Sequence, residues 1–117
     1  MRRLLRATRH TWNGLVAAAR SEAAFRQELL LLALAVPLAF VVGEGAWQRL
    51  LLVAVILLIM IAELLNSALE KLADEVTLEV RPGIGRVKDM GSAAVGVSLL
   101  LAALVWLVAL GERLGLL

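Results

Sequence analysis

Cysteine is absent from the 117 residues, so the chain has no disulfide, no thiolate metal site and no cysteine nucleophile. Histidine is nearly absent too. His10 stands alone, which excludes a histidine-rich metal centre. No G-x-x-x-x-G-K-[ST] stretch occurs, so the backbone phosphate cradle of a P-loop is missing. There is no internal repeat, and no polar stretch is long enough for a soluble domain of ordinary size. Arg2-Arg3 is not expected to open a secretory signal, because charge continues to Glu28 and no small-residue cleavage site follows a short apolar core.

What remains is dominated by aliphatic residues. The chain is 62% hydrophobic with a mean hydropathy of +0.89, against roughly 45–50% apolar in soluble domains. An all-α integral membrane protein is predicted, one domain over 1–117, with an N-terminal amphipathic surface helix at 2–20 and membrane-spanning helices at 23–43, 48–72 and 89–111. In the first segment Leu4, Leu5, Trp12, Leu15 and Val16 share one helical face, while Arg2, Arg6, Arg9 and Arg20 share the other. Pro37 is expected to kink the first span. Residues 74–88 read as a loop with its turn at Pro82-Gly83. Ten of the twelve basic residues lie before the first span or between Lys71 and Lys88, which predicts that both segments are cytoplasmic. This basic charge suits anionic lipid or phosphate, and nucleic acid is not an expected partner.

One carboxylate breaks the pattern. Thirteen uncharged residues, Leu50 to Ala62, run directly into Glu63. Glu63, Asn66, Glu70 and Asp74 are spaced three, four and four apart, so they line one stripe of a helix that must avoid lipid. The ten Leu, Ile and Val residues between 50 and 61 favour insertion by roughly 3–6 kcal/mol, against roughly 2.5–3.5 for one central ionisable residue. Insertion is therefore tolerable but does not explain the acid. At about 1.5 Å per residue Glu63 lies roughly 20 Å from Arg49 at the outer end, and Glu70 about 10 Å nearer the cytoplasm. A carboxylate at that depth is placed to act as general base on a lipid hydroxyl. Three spans cannot enclose the stripe alone, so a homo-oligomer is expected.

Phosphoryl transfer also needs a hard cation and positive charge on the phosphates. Glu70 at the interface and Glu22, where the surface helix meets the first span, are candidate magnesium ligands. Lys88 at the start of the third span is the candidate phosphate contact, supported by the amides of a helix N-terminus beside it.

Three strings taken together, "EAAFRQE" (22–28), "ELLNSALE" (63–70) and "KDMGSAAV" (88–95), closely resemble the prokaryotic diacylglycerol kinase family. The resemblance covers about Arg3 to Trp106. It implies an inner-membrane homotrimer with a surface helix and three spans per subunit, phosphorylating diacylglycerol with magnesium and ATP at sites shared between subunits. It implies Glu63 as catalytic base with Asn66 beside it, and Glu22 and Glu70 as metal-binding carboxylates. For the nucleotide it implies Lys88, Asp89 and Glu79, with Glu22, Glu70, Asp74 and Arg3 nearby. His10 stands where the best-known members carry an aromatic, and Arg81 where they carry a histidine; both are counted with the nucleotide set. Arg3, Trp12, Ala24, Phe25, Arg26, Gln27, Glu28, Arg49, Glu63, Ser92 and Trp106 fall at positions associated with lipid substrate or interface contact. An undecaprenol kinase shares the Glu and Asn stripe and is the nearest alternative. An ion-coupled transporter or a non-catalytic scaffold is the alternative outside kinase chemistry.

Overall fold

The computed structural model describes every residue, Met1–Leu117, as four helices and no strand. These are α1 (Arg2–Ser21), α2 (Ala23–Val42), α3 (Gly45–Val76) and α4 (Pro82–Arg113). The last three are each long and apolar enough to cross a membrane. Only 18 of the 117 residues are buried, while Leu30, Leu34, Phe40, Val41, Leu100, Leu104 and Leu107 face outward. So much exposed aliphatic surface requires lipid as its solvent.

The helices do not close around a common axis. α3 lies in the middle, packed along α2 on one side and α4 on the other, and α2 and α4 barely meet. Large side chains of α3 meet small ones on its neighbours: Val55, Ile56 and Ile59 pack with Ala35 and Ala102, and Leu52 with Ala39 and Ala109. Within lipid, where burying apolar surface against another helix gains little, this fit supplies dispersion contacts that hold helices together. The buried residues of α4, Gly91, Ser98, Ala102 and Ala109, recur at spacings of seven, four and seven, the period of a helix seam at a shallow crossing angle. The Trp106 indole adds a polar link, donating from Nε1 to the Leu52 carbonyl at 3.1 Å.

Two corners set the ends of the bundle. Glu22 is extended (φ −116°, ψ 111°) and turns the chain from α1 into α2. Beneath it, Ala18, Phe25 and Met60 pack together, tying α1 to α2 and α3. At the opposite end only Gly43 and Glu44 lie outside helices. Gly45 takes φ +83°, and a Cβ on Gly43 would lie 2.7 Å from both the Ala39 carbonyl oxygen and Arg49 Cγ. The turn leaves no room for a side chain at Gly43.

The connection between the last two spans differs from the expected 74–88 loop. α3 continues to Val76 and α4 begins at Pro82, leaving only 77–81 non-helical. Pro82 is at the first helical position rather than in a turn, where its missing N–H and fixed φ cost nothing. The Gly85 amide donates to the Arg81 carbonyl at 2.9 Å and closes the first turn. With 32 residues each, α3 and α4 are about 48 Å long against about 30 Å of hydrocarbon. Their charged ends at 70–76 and 82–89 therefore project as a helical pair into water. α2 remains helical through Pro37.

Gly43→Ala is expected to destabilise the fold by about 1–3 kcal/mol, since the added methyl meets a backbone oxygen that cannot move aside. Denaturant unfolding of the protein in detergent micelles measures the effect.

Candidate functional site

Glu63 is buried, 8% exposed, on the flank of α3 that faces α1 and α2. Its Oε1 accepts a 3.4 Å hydrogen bond from Ser67 Oγ one turn later. Glu22, Glu28 and Glu70 all lie within electrostatic reach of it. Glu28 has one carboxylate oxygen buried without a partner. Glu22 at the α1–α2 corner, Glu28 on α2, and Glu63 and Glu70 on α3 thus share one end of the bundle.

Lys71 supplies one positive charge. Its Nζ lies 3.4 Å from Glu22 Oε1 and donates to Ser21 Oγ at 2.8 Å. Glu63, Ser67 and Lys71 follow at spacings of four, so one helical edge carries acid, hydroxyl and base. Ser67 and Lys71 on that edge line a groove of about 360 Å³ between α1 and α3, together with His10, Thr11 and Leu15.

The rest of the sequence-predicted stripe turns toward α4. Asn66 Nδ2 donates to Glu70 Oε1 at 3.3 Å, while Asn66 Oδ1 is buried without a conventional donor. Asp74 Oδ1 accepts from Lys88 Nζ at 2.9 Å. Lys88 lies six residues inside α4, about 9 Å along the axis from the helix N-terminus. The expected support from free N-terminal amides beside Lys88 is therefore not realised, because the helix starts earlier than the spacing of charge and apolar residues implied.

The other expected residues divide into near and far. His10 is brought to the groove beside Ser67 and Lys71. Phe25 is fully buried in the corner core, Ala24 beside it is half-buried, and Gln27 is exposed. Arg26 donates from one guanidinium nitrogen to the Ala19 and Arg20 carbonyls at 2.9 and 3.1 Å, closing the end of α1. Glu79 and Arg81 pair with each other at 3.1 Å in the 77–81 connection. Arg3, Trp12, Asp89 and Ser92 are exposed. Two residues lie far from the carboxylates: Arg49 sits with its guanidinium 5.5 Å from the Phe40 ring centre at the outer turn, and Trp106 is joined to Leu52. Ser67 and Lys71 were missed by sequence reasoning. The i+4 and i+8 spacing from Glu63 was the available signal.

The donor set bears on magnesium. No three Asp, Glu or His side chains converge closely enough to hold an ion unaided. Magnesium bound with phosphates often takes only one or two protein carboxylates and completes its shell with phosphate and water oxygens, so a three-acid cluster is not required.

Known proteins match nearly the whole chain. A family model described as prokaryotic diacylglycerol kinase matches residues 9–110. The chain is 42% identical over 113 residues to the diacylglycerol kinase of Escherichia coli strain K12, covering 97% of this chain and 93% of that one. It is 45% identical over 106 residues to the diacylglycerol kinase of Pseudomonas aeruginosa PAO1, covering 91% and 86%. With the Haemophilus influenzae diacylglycerol kinase it shares 39% identity over 103 residues, covering 88% and 87%. With a match this extensive, carried on an all-helical chain with three membrane-spanning helices, the protein belongs to the prokaryotic diacylglycerol kinase family.

Proposed function

We propose that the protein transfers the γ-phosphate of ATP to the free hydroxyl of diacylglycerol, giving phosphatidic acid and ADP at the cytoplasmic face of the bacterial inner membrane. The observation that carries this reading is the buried Glu63, hydrogen-bonded by Ser67 and set among further carboxylates within a membrane-spanning helix. A structural acid would be matched to a single cation. This one lies near three other acids instead, one turn from Ser67 at the edge of the α1–α3 groove.

In the proposed reaction the lipid hydroxyl oxygen attacks the γ-phosphorus, Glu63 takes the hydroxyl proton, and the bond from phosphorus to the bridging oxygen breaks to release ADP. Ser67 fixes the Glu63 carboxylate so that one oxygen remains for that proton. Glu22 and Glu70 would hold magnesium together with the phosphates, and the bound ion would neutralise charge on the transferring group. Asn66 orients Glu70 through its amide. Lys71 and Lys88 hold Glu22 and Asp74 in the free chain and turn to phosphate when nucleotide binds. Arg3, His10, Glu79, Arg81 and Asp89 border the nucleotide from α1, the 77–81 connection and the projecting start of α4. Ala24, Phe25, Arg26, Gln27 and Glu28 line the lipid's approach, with Trp12 and Ser92 at its rim.

The proposal includes the setting. α1 rests in the headgroup layer, where exposed Leu4, Leu5 and Trp12 find apolar cover and its arginines meet anionic lipid. The α3–α4 face has a groove of about 670 Å³ lined by Asn66 and Ser98 among aliphatic residues. Asn66 is a polar side chain among these aliphatic residues that hydrocarbon would not solvate, and we take the unit to be a homo-oligomer, a trimer from the resemblance.

Glu63→Gln should lose roughly 10²–10⁴-fold in kcat, the span of general-base contributions, while keeping its helix content and oligomeric mass; an undiminished rate removes Glu63 as base. When diacylglycerol, monoacylglycerol and undecaprenol compete for radiolabelled ATP in vesicles, label should appear mainly in phosphatidic acid. Preferential labelling of undecaprenol would reassign the acceptor. Glu22→Gln should raise the magnesium concentration for half-maximal rate by about tenfold or more at fixed ATP, equivalent to about 1.4 kcal/mol of lost affinity; an unchanged magnesium titration excludes Glu22 as a ligand.

A further inference from the structure

Where α4 crosses α3 beside the carboxylates, one position has no room for any side chain. Gly91 is buried in the seam, one turn after Lys88. A Cβ built on it would collide with Asn66 Oδ1 and lie 3.4 Å from Asn66 Cγ and 3.5 Å from Leu69 Cδ1. The glycine hydrogen that occupies this direction points at Oδ1, the oxygen that has no conventional donor, and such Cα–H contacts recur where helices approach closely. With Oδ1 turned to α4, Nδ2 faces the opposite way and donates to Glu70 Oε1 at 3.3 Å.

We propose that Gly91 is a positioning residue: by admitting Asn66 Oδ1 into the space of its missing side chain, it fixes the Asn66 amide and thereby the Glu70 carboxylate. The inference rests on the kinase reading, in which Glu70 serves the phosphate. Asparagine has two side-chain torsions, so a methyl at position 91 is relieved by rotating the amide rather than by separating the helices. That rotation withdraws Nδ2 from Glu70. The fold keeps its packing and the site loses its orientation. Other glycines of α4 have no such role: a Cβ at Gly83, Gly85 or Gly96 meets nothing within 4 Å, and one at Gly111 meets only Leu117.

Gly91→Ala and Gly96→Ala should be compared with the wild type in lipid vesicles. Alanine favours a helix over glycine, so neither variant should unfold at lower denaturant than the wild type. Gly91→Ala should lose about 10–100-fold in kcat, the scale of a misplaced catalytic group, with the KM for diacylglycerol within about twofold, as expected when ground-state binding is untouched. Gly96→Ala should keep wild-type turnover. In isotope-labelled protein the Asn66 side-chain amide resonance, identified by its loss in Asn66→Ala, should move in Gly91→Ala alone. Full turnover in Gly91→Ala, an unmoved Asn66 resonance, or an equal loss in Gly96→Ala overturns this inference and leaves the kinase reading intact. A wild-type protein without lipid kinase turnover overturns that reading, and this inference with it.

Discussion

The structure is organised around the cost of holding an acid inside a membrane-spanning helix. Glu63 cannot face lipid, so the helix that carries it must be flanked on both sides. α3 therefore takes the middle position, with α2 and the α1–α2 corner over Glu63 and α4 over Asn66 and Asp74. The pairing of large side chains on α3 with small ones on α2 and α4 makes this possible, since it brings neighbours close without a hydrophobic driving force. A bulkier seam would leave polar groups of α3 facing hydrocarbon.

The length of the helices turns that constraint into a site. α3 and α4 are longer than the bilayer is thick, so the polar residues of α3 run without a break from Glu63 inside the membrane to Asp74 in water. In the proposed reaction a lipid hydroxyl meets the inner end of such a ladder and a nucleotide the outer end. Nothing has to cross the membrane. The short 77–81 connection, with its Glu79–Arg81 pair, keeps the projecting ends together. The single corner at Glu22 brings an acid from outside the membrane back toward Glu63, which no residue of α3 could do alone.

Much of this was legible in the chain. The three spans follow from apolar runs of the right length, and the acid stripe follows from spacings of three and four on one helix. The early start of α4 was not legible, because proline and two glycines resemble a turn until Pro82 is recognised at a helix's first position. Ser67 and Lys71 lay in the same helical register as Glu63 but carry no signal of their own; a serine is ordinary in a membrane helix and a lysine at its end is ordinary topology. Arg49 and Trp106, associated with lipid contact through the resemblance, lie with Phe40 and Leu52 in ways that only neighbouring helices could reveal.

Sequence by itself determined the solvent, the number of spans and the line of polar residues, because hydropathy and helical period are local properties of a chain. Tertiary structure decided which side of that line each residue serves. Glu63 turns to α2 and Asn66 to α4 because crossing helices share their faces only with the neighbours that fit, and fit depends on small residues far away in sequence, among them Ala35, Ala102 and Gly91.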